Sequence, residues 1–501
     1  MDSKISKFYK NKTVFLTGGS GFLGRMIIEK LLRATEVKRI YILIRSKRGQ
    51  EIKSRMSDFS SNYLFREVLK SNANYLERVS PIAGDCELPD LGLSEADRKL
   101  LVEEVQVVIH GAATVNFVEL LSIALSINTR ATRLIVQLAK EMGRLEAVVH
   151  VSTAFSNCLA EHIKESFYPE LLACTADEVL ALKDRLSNKL IDKMTPALLG
   201  NYPNTYTFTK ALAEQVVQRE GRGLPICVFR PGMILPSIRE PSKGWIDNLY
   251  GPISIVYGCA LGVVRVMILN KKARSNIVPV DFCANLILAS AWQTAVETAQ
   301  RQLPAPDPPI YNFVPTAKNP ILWGTFTDTI EEQRYVFPLN QMMWFPFIIC
   351  TPSLWVFKIL SAFYHHLPAF FIDIGLRVKG QKPRMKSIYR KVHEGINRLV
   401  PFGISSWSFE MTNSDRLLEC MSPQDRKIYE FDMNSIDWID YLTSAAAGIR
   451  VFLLKENLTE ESLQAARKLC KRLSIYNVLA HLIAFCIPAA IIWWVISLTY
   501  L

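Results

Sequence analysis

A tyrosine and a lysine four residues apart are the side chains of this sequence best suited to acid–base chemistry. They lie in the stretch Tyr206-Thr-Phe-Thr-Lys210, and no other tyrosine in the chain has a lysine at this spacing. On a helix, positions i and i+4 share one face, so both side chains can point at one substrate. A nearby ammonium group favours the phenolate and should lower the tyrosine pKa. The pair therefore predicts a proton donor and acceptor for carbonyl reduction at neutral pH.

Two hydroxyl side chains, Ser152 and Thr153, follow the apolar run Ala147-Val-Val-His-Val151. The run predicts a buried strand, and ligands bind beyond the carboxyl ends of strands in parallel sheets. One hydroxyl is expected to hydrogen-bond the substrate carbonyl. The spacing favours Thr153, and Ser152 stays as the alternative. Asn128 is a candidate for a proton relay or for organising the sheet centre, and a structural helix residue is the other interpretation.

A glycine-rich turn stands between a predicted strand and a predicted helix near the amino terminus. Its sequence is Thr17-Gly-Gly-Ser-Gly-Phe-Leu-Gly24. In dinucleotide-binding folds such glycines permit a tight turn, let backbone amides approach the pyrophosphate at the helix N-terminus, and allow close helix–strand packing. The residues predicted to bind a nicotinamide dinucleotide here are Thr17, Gly18, Ser20, Gly21, Phe22, Leu23 and Gly24.

The end of the second predicted strand bears on the choice of dinucleotide. NAD-specific sites usually carry an acidic residue there, whereas this chain has Ile44-Arg45-Ser46-Lys47-Arg48. A basic turn suits the 2′-phosphate of NADPH, so NADPH is the predicted cofactor. Arg45 is the first candidate contact, with Ser46 and Arg48 as secondary ones. A solvated basic turn is the alternative for Lys47 and Arg48.

Further cofactor contacts are predicted after the next strands. Asp85 could accept a hydrogen bond from the adenine amino group, or it could cap a turn. Ala112 and Ala113, after the fourth strand, would leave room for the cofactor. Tyr206 and Lys210 complete the predicted cofactor site, because the lysine would hold the nicotinamide ribose.

Apolar runs alternate with helical patterns over the first 300 residues, which predicts an α/β fold with a Rossmann-type doubly wound parallel sheet. A length of 501 residues predicts two folded units plus appendages. We place an NADPH-binding domain over residues 10–330 and a mostly helical C-terminal domain over 335–450. Residues 451–475 are expected to form a basic amphipathic linker, and 476–501 a transmembrane anchor.

Two apolar segments of the sequence suggest that the protein associates with a membrane. Residues 476–501 contain no Asp, Glu, Lys or Arg, and about 20 apolar residues suffice to cross a hydrocarbon core. Basic residues just before this segment predict that the body faces the cytosol. Residues 335–372 are rich in aromatics and prolines, which favours a broken, interfacial or acyl-chain-lining element. A straight span and a buried helix are the alternatives for that segment.

Composition narrows the classes of partner. A net charge of +12 suggests anionic partners such as nucleotides, coenzyme A or anionic lipid. Nucleic acid is not expected, since neither zinc-finger spacing nor an aromatic-interleaved basic module is present. The ten cysteines are scattered without Cys-x-x-Cys, which predicts a reducing compartment and no metal site. The amino terminus lacks the apolar core of a secretion signal.

Over residues 10–290 the chain resembles the extended short-chain dehydrogenase/reductase superfamily, and over nearly its whole length it resembles the alcohol-forming fatty acyl-CoA reductases. The matching pieces are the glycine turn, Tyr41-Ile-Leu-Ile-Arg45, Gly84-Asp85 with Leu91-Gly-Leu-Ser94, His110-Gly-Ala-Ala-Thr-Val-Asn-Phe117, His150-Val-Ser-Thr-Ala154, Tyr206-Thr-Phe-Thr-Lys-Ala-Leu-Ala-Glu214, Arg230-Pro231, Asn319-Pro, Trp323-Gly, Asp373, Phe431-Asp432 and Trp438. The pieces after residue 300 make the reductase resemblance specific.

The resemblance implies a two-stage reduction of long-chain fatty acyl-CoA by NADPH, through an aldehyde to a fatty alcohol with release of coenzyme A. Tyr206 and Thr153 would stabilise the oxyanion, and the C-terminal domain would cover the site and shape an acyl tunnel. The endoplasmic reticulum and the peroxisome both fit the anchor, and a homodimer is compatible with the sequence. The rival functions are a membrane-attached hydroxysteroid dehydrogenase or related reductase and a non-catalytic NADPH-binding membrane adaptor.

Overall fold

Seven parallel strands form the central sheet of this protein. A computed structural model describes residues 2–45, 62–71, 74–300 and 307–499, together with Ile52, Met56 and Phe59. Further strands form small two-stranded sheets. In chain order, the strands of the described residues are β1 (Thr13–Thr17), β2 (Arg39–Ile44), β3 (Val79–Ala83), β4 (Val107–His110), β5 (Ala147–Val151), β6 (His162–Ile163), β7 (Ile226–Pro231), β8 (Met233–Leu235), β9 (Val266–Ile268), β10 (Ile277–Pro279), β11 (Ile310–Phe313), β12 (Ile349–Thr351) and β13 (Ser408–Phe409). The sheet order is β11-β7-β5-β4-β1-β2-β3.

The strand order reverses between β1 and β4, which is where doubly wound sheets bind dinucleotides. Thr17 pairs with His110, and His110 pairs with His150, so the ends of β1, β4 and β5 meet at one edge. Every residue of β1 and β5 is buried, as expected for strands covered on both faces. The predicted Rossmann-type parallel sheet is confirmed.

Helices fill the connections and build most of the second half of the chain. They are α1 (Lys4–Tyr9), α2 (Phe22–Ala34), α3 (Arg66–Ser71), α4 (Glu95–Glu104), α5 (Leu121–Ala124), α6 (Ala131–Glu141), α7 (Ala176–Arg185), α8 (Asn188–Lys193), α9 (Thr195–Leu199), α10 (Thr205–Glu220), α11 (Pro252–Ala260), α12 (Val280–Ala299), α13 (Trp323–Val336), α14 (Leu354–Ser361), α15 (Leu367–Val378), α16 (Met385–Ile404), α17 (Thr412–Cys420), α18 (Pro423–Ile428), α19 (Trp438–Gly448) and α20 (Glu460–Thr499). Wider π-helical turns occupy Leu125–Arg130, Ala362–His366 and Ile449–Leu453. Short 3-10 helices occupy Tyr63–Phe65, Tyr75–Arg78, Pro89–Gly92, Pro169–Leu171 and Met433–Ser435.

Helix α10 positions the predicted catalytic pair. The side chain of Asn204 begins it by accepting a 2.9 Å hydrogen bond from the Thr207 amide, which satisfies one of the unpaired first-turn donors. Most of the helix is buried, and Phe208 and Leu212 lie in a cluster that also contains Ile191. This packing fixes the helix, so its inward side chains are held in place.

The chain forms two compact units whose segments are interleaved. One unit contains Met1–Trp245, Asn276–Pro320 and Ser406–Ile436, and the other contains Ile246–Ser275, Ile321–Ser405 and Asp437–Leu501. The linear division into residues 10–330 and 335–450 therefore does not describe these units. The reason is long-range pairing: β11 returns to the central sheet beside β7, and β13 pairs with β6.

Helix α20 joins the two segments predicted as linker and anchor. Its first half packs on the second unit through Cys470 and Leu473, which contact a cluster with Leu339, Met342 and Phe345. From Ile475 onward exposed apolar side chains follow, among them Val478 and Leu482. The separate linker expected at 451–475 is thus partly a continuation of the apolar C-terminal helix.

Among the described residues, one helix has the length and composition to cross a membrane. It runs from Leu354 to Val378 through α14, a π turn and α15, and only 22% of its apolar window is buried. Core helices of soluble proteins can be as long and as apolar, but they are mostly buried, whereas this helix is mostly exposed.

Gly24 supplies a test of the packing beneath the glycine turn. A Cβ at this position would lie 2.2 Å from the Gly18 carbonyl oxygen and 2.7 Å from the Gly19 Cα. Because both neighbours are backbone atoms, we expect Gly24→Ala to lower the free energy of unfolding by about 2 kcal/mol or more. Thermal unfolding of the detergent-solubilised protein measures this. Gly143→Ala is the control, since no atom lies within 4 Å of its added Cβ; equal melting temperatures would contradict the prediction.

Candidate active site

The glycine turn links the end of β1 to the start of α2. Gly18 adopts φ +78°, a left-handed conformation that favours glycine, and its carbonyl accepts a 2.9 Å hydrogen bond from the Gly21 amide. Helix α2 begins at Phe22, directly after the Gly21 cap. The first-turn amides of Phe22, Leu23 and Gly24 have no partner within the helix. A glycine-rich turn before such amides fits a pyrophosphate.

Thr17 ties the glycine turn to the end of β4. Its hydroxyl is hydrogen-bonded to His110 Nδ1 at 2.7 Å and accepts from the Ala112 amide at 3.2 Å. The other ring nitrogen of His110 contacts Thr132 at 3.1 Å. Burial lowers the pKa of His110 to about 3, so its ring is neutral at physiological pH. Thr17 thus orders the loop containing Ala112 and Ala113.

Arg45 lies one residue beyond β2, at the same edge of the sheet as the glycine turn, and its side chain is exposed. This is the place where dinucleotide folds recognise the adenosine ribose. The secondary candidates Ser46 and Arg48 lie outside the described residues. Ser20, in the glycine turn, is half-buried.

Asp85 follows β3, and its Oδ1 accepts a hydrogen bond from the Glu87 amide at 3.0 Å. Its own amide donates to the Leu91 carbonyl at 2.7 Å. The residue therefore caps a turn, as the alternative interpretation held. The turn places its carboxylate beside the carboxyl end of the sheet, where adenine recognition stays a prediction.

Asn128 fastens the loop after β4 to helix α10. Its Oδ1 accepts from the Thr114 amide at 2.9 Å, and its Nδ2 donates to the Thr114 carbonyl at 3.2 Å and to Thr209 Oγ1 at 2.9 Å. The side chain is fully buried. These contacts favour the structural interpretation of Asn128, which joins the loop after β4 to α10.

Tyr206 and Thr153 are brought together at the end of β5. The Thr153 side chain lies beside the Tyr206 hydroxyl, and the Phe117 ring lies 5.6 Å from the tyrosine ring. Burial raises the pKa of Tyr206 to about 12, although the neighbouring Thr153 side chain acts to lower it. The phenol is therefore protonated at neutral pH, as a proton donor must be.

Lys210 lies one turn after Tyr206 and is almost fully buried. Its Nζ donates a 2.7 Å hydrogen bond to the Val151 carbonyl at the end of β5. Burial lowers the pKa of Lys210 to about 8, and the charge of Glu214 acts against that shift. The prediction that Lys210 lowers the Tyr206 pKa is wrong for this structure, because the ammonium is directed to Val151 and burial dominates the tyrosine pKa.

Ser152 takes part in a different set of contacts. Its hydroxyl donates to Glu214, and Glu214 also accepts from Ser156 at 2.8 Å and from Asn157 at 3.2 Å. Arg230 completes the set through Nε and Nη2, at 2.9 Å and 2.6 Å from the two carboxylate oxygens. Of the two hydroxyls left open by the sequence, Thr153 is the one that contacts Tyr206.

The charged pair behind Ser152 was missed as a functional feature. Glu214 and Arg230 are both buried, and Arg230 also donates to the carbonyls of Lys164 and Ser166. Burial acts to raise the pKa of Glu214, but the Arg230 guanidinium lowers it on balance. A signal was present in the sequence: Glu214 continues the four-residue spacing of Tyr206 and Lys210 on the same helix.

The described geometry can protonate a carbonyl oxygen. Tyr206 offers a neutral phenol, Thr153 adds a second hydroxyl, and Lys210 supplies a buried cation on the same helix face. The glycine turn, at the same edge of the sheet, has the features of a dinucleotide site. The arrangement suits hydride reduction with a nicotinamide cofactor.

Solved structures share this fold. The reductase domain of a nonribosomal peptide synthetase from Mycobacterium tuberculosis superposes with a TM-score of 0.58 at 18% identity, covering 91% of this chain and 96% of that one. The terminal R domain of the myxalamid PKS-NRPS biosynthetic pathway gives a TM-score of 0.54 at 20% identity, covering 90% and 95%. At these identities the likeness shows the fold alone.

Sequence comparisons show the family. Two family models, both described as "Male sterility protein", match residues 16–287, as an NAD-binding region, and 364–456. Fatty acyl-CoA reductase wat of Drosophila melanogaster is 41% identical over 456 residues, covering 91% of this chain and 87% of that protein. Fatty acyl-CoA reductase 1 of Homo sapiens is 34% identical over 465 residues, covering 93% and 88%. The chain belongs to the fatty acyl-CoA reductase family of the extended short-chain dehydrogenase/reductase superfamily.

Proposed function

We propose that this oxidoreductase reduces long-chain fatty acyl-CoA to fatty alcohol with NADPH, through an aldehyde and with release of coenzyme A. The observation that carries the proposal is the proximity of the Thr153 and Tyr206 hydroxyls at the carboxyl end of β5. Two hydroxyl donors at one point suit an oxygen that becomes negative during reduction. The fatty acyl-CoA reductases that this chain resembles support the substrate class.

The residues around the glycine turn would hold the cofactor. Gly18 and Gly21 present backbone without side chains before the first turn of α2, and Lys210 would bind the nicotinamide ribose. When bound, NADPH supplies a hydride to the carbonyl carbon. Arg45 would bind the 2′-phosphate, since it follows β2 and takes the position where NAD-specific sites usually carry an acidic residue. Asp85 would accept from the adenine amino group, and Ala112 and Ala113 would line the cofactor.

In the first stage Tyr206 donates its proton to the thioester oxygen as the carbonyl carbon gains hydride. Thr153 donates a hydrogen bond to the same oxygen. The resulting hemithioacetal loses its carbon–sulfur bond as its hydroxyl proton passes to the sulfur, so coenzyme A departs as the thiol. Solvent water then returns a proton to the Tyr206 phenolate. In the second stage the aldehyde carbonyl gains another hydride and Tyr206 again supplies the proton, giving the alcohol.

A covalent acyl-enzyme is unnecessary, because a thioester is already activated toward hydride. Cys86 is the thiol whose surroundings include Lys210, and burial raises its pKa to about 12. A buried neutral thiol is a poor nucleophile. This supports direct reduction of the substrate at Tyr206.

Residues 476–501, which include the C-terminal part of α20, are the proposed membrane anchor. Ile475, Val478, Leu482 and Ile483 are exposed and apolar on this helix. The basic residues Arg467, Lys468, Lys471 and Arg472 precede them, which favours a body on the cytosolic side of the endoplasmic reticulum or peroxisome. An anchor suits the chemistry, because long-chain substrates and products partition into lipid.

The function is tested by product analysis with purified protein, NADPH and acyl-CoAs of graded chain length. Mass spectrometry should find fatty alcohol, with two NADPH oxidised and one coenzyme A released for each alcohol. Aldehyde as the sole product would restrict the proposal to the first stage. NADPH oxidation that acyl-CoA does not stimulate would contradict it.

Substitutions at the three hydroxyls separate their roles. Tyr206→Phe should lower kcat by roughly 10²-fold or more, because the proton donor is lost. Thr153→Ala should lower kcat by about 10²-fold, because one donor to the developing oxyanion is removed. Ser152→Ala is the matched control. It should lower the free energy of unfolding by about 1–3 kcal/mol and change kcat much less than Thr153→Ala does, because the Ser152 hydroxyl binds Glu214. A larger kcat loss for Ser152→Ala than for Thr153→Ala would reverse the assignment.

Arg45→Ala tests the choice of dinucleotide. A charge-assisted hydrogen bond to the 2′-phosphate is worth about 1.5–3 kcal/mol, so the variant should bind NADPH at least about tenfold more weakly. NADH binding should change little, because NADH lacks that phosphate. Fluorescence titrations with both nucleotides measure this, and Arg144→Ala controls for removal of another exposed arginine. An equal loss for NADH and NADPH would remove Arg45 from 2′-phosphate recognition.

The pKa of Lys210 predicts a pH dependence of cofactor binding. Burial lowers this pKa to about 8, so the ammonium is present below that pH and is lost above it. NADPH affinity should be constant below about pH 7 and decrease as pH rises through 8, because the neutral amine holds the ribose less well. Lys210→Met should lack this decrease, whereas Tyr206→Phe should keep it. A flat affinity for the unaltered protein from pH 7 to 9.5 would refute the role.

A further inference from the structure

The helix Leu354–Val378 presents an apolar surface to its surroundings along almost its entire length. Its buried positions are four residues apart: Phe357, Ser361, His365 and Ala369. Positions at this spacing make one narrow stripe on a helix. The helix therefore touches the body of its unit along a single line.

The rest of the helix surface is largely hydrophobic and exposed. Trp355 is 74% exposed and Ile359 is 70% exposed. The other large exposed apolar residues of the helix are Leu354, Val356, Phe363, Leu367, Phe370, Phe371, Ile372, Ile374 and Val378. An apolar face of this extent on a protein surface indicates an interaction site.

The helix is fastened lengthwise to its own unit. Pro368 lacks the N–H that would reach the Tyr364 carbonyl in an α-helix. Arg265 Nη1 donates to that carbonyl at 3.1 Å, and the Arg265 and Val266 amides donate to His365 Nε2 at 3.0 and 3.2 Å. These contacts hold the middle of the helix against the strand β9.

Helix α16 lies along the same buried stripe and limits how the apolar helix can meet a membrane. Tyr389 stacks on His365 with ring centroids 4.9 Å apart, and it clusters with Ala369. Arg390, Lys391 and Glu394 are exposed on α16. A transmembrane orientation would carry these charges into the hydrocarbon core, which is strongly unfavourable. A helix lying in the plane of the membrane surface avoids this.

Contacts to α20 place the apolar helix near the proposed point of membrane entry. The Tyr364 hydroxyl is 3.2 Å from His481 Nε2, and Trp344 Nε1 donates to Asn477 Oδ1 at 2.8 Å. Residues 477–481 are where α20 leaves the body of its unit with exposed apolar side chains. Tyr364 therefore lies at the level where an anchor formed by α20 would enter lipid.

Polar residues at the edges of the helix also suit a lipid interface. Lys358 Nζ lies 4.8 Å from the Trp355 ring centre, and lysine side chains can extend toward headgroups from such positions. The Asp373 carboxylate is occupied by the amides at the start of α16. Basic residues follow the helix directly and are exposed: Lys379, Lys382, Arg384 and Lys386. They complement anionic headgroups.

We propose that Leu354–Val378 is a monotopic membrane element that lies flat at the boundary between lipid headgroups and acyl chains, in addition to the C-terminal anchor. The relevance of its contacts to α20 rests on the proposed function, in which α20 forms the membrane anchor. Its exposed apolar face, its lengthwise attachment and the charges of α16 are independent of that function. The element gives the protein two contacts with one membrane and fixes its tilt.

Lipid photolabelling of the full chain tests the proposal. The protein is reconstituted in phosphatidylcholine–phosphatidylserine vesicles with a diazirine lipid reactive either near the headgroup or at the acyl terminus, and adducts are mapped by mass spectrometry. We expect the headgroup-proximal probe to label Trp355, Ile359, Phe370 and Phe371 alike. The readout needs no turnover, so it fails or succeeds separately from the proposed reaction.

The double variant Ile359→Glu/Phe370→Glu should reduce labelling of residues 354–378 severalfold while NADPH binding is retained. Ile439→Glu is the matched control, because Ile439 is 60% exposed on a helix of the same unit and should leave labelling unchanged. Labelling by the acyl-terminal probe alone would show a transmembrane orientation and overturn the proposal. Absent adducts, or an intermolecular disulfide through Phe370→Cys in place of adducts, would also overturn it, the latter by identifying a second copy as the occupant.

Discussion

The buried ion pair of Glu214 and Arg230 is the interaction on which the active site depends. It joins α10 to β7, and the same carboxylate accepts from Ser152 at the end of β5. Arg230 is fully enclosed and Glu214 nearly so, so neither charge has water as a substitute partner. Removing one member of such a pair costs about 3–5 kcal/mol, because the other charge stays buried. The pair thereby holds β7 in one arrangement with α10 and the end of β5, the two places that carry the catalytic side chains.

The ion pair gives the adjacent hydroxyls of Ser152 and Thr153 different roles. Ser152 is bound to the carboxylate, whereas Thr153 lies beside Tyr206. Lys210, between Tyr206 and Glu214 on the same helix face, is held by the Val151 carbonyl. The result is a neutral phenol with a buried cation nearby, which is suited to giving a proton to an oxygen at neutral pH. The fatty acyl-CoA reductase family supplies the chemical context in which such a donor is useful.

Local sequence patterns predicted the central sheet and the glycine turn, because strand burial and turn conformation are properties of short segments. Spacing favoured Thr153 and left Ser152 as the alternative, since the residues that engage Ser152, Glu214 and through it Arg230, lie 62 and 78 residues further along the chain. The sign of the Tyr206 pKa shift was also wrong, because burial outweighs a lysine bound to a backbone carbonyl. The interleaving of the two units depends on β11 pairing with β7, which no local pattern reports. Likewise, the sequence of Leu354–Val378 does not show that most of this helix is exposed, because that depends on which of its positions pack against the rest of its unit.

The central claim is that Tyr206 and Thr153, held by the network behind Ser152, bind the oxygen of the carbonyl being reduced. The most direct measurement is a structure of the full chain with NADPH and an unreactive ketone analogue of a long-chain acyl-CoA. The account predicts the ketone oxygen about 2.7–3.1 Å from both Tyr206 Oη and Thr153 Oγ1, with Ser152 still bound to Glu214. A ketone oxygen bound by Ser152, or one lying beyond hydrogen-bonding distance of Tyr206, would contradict it.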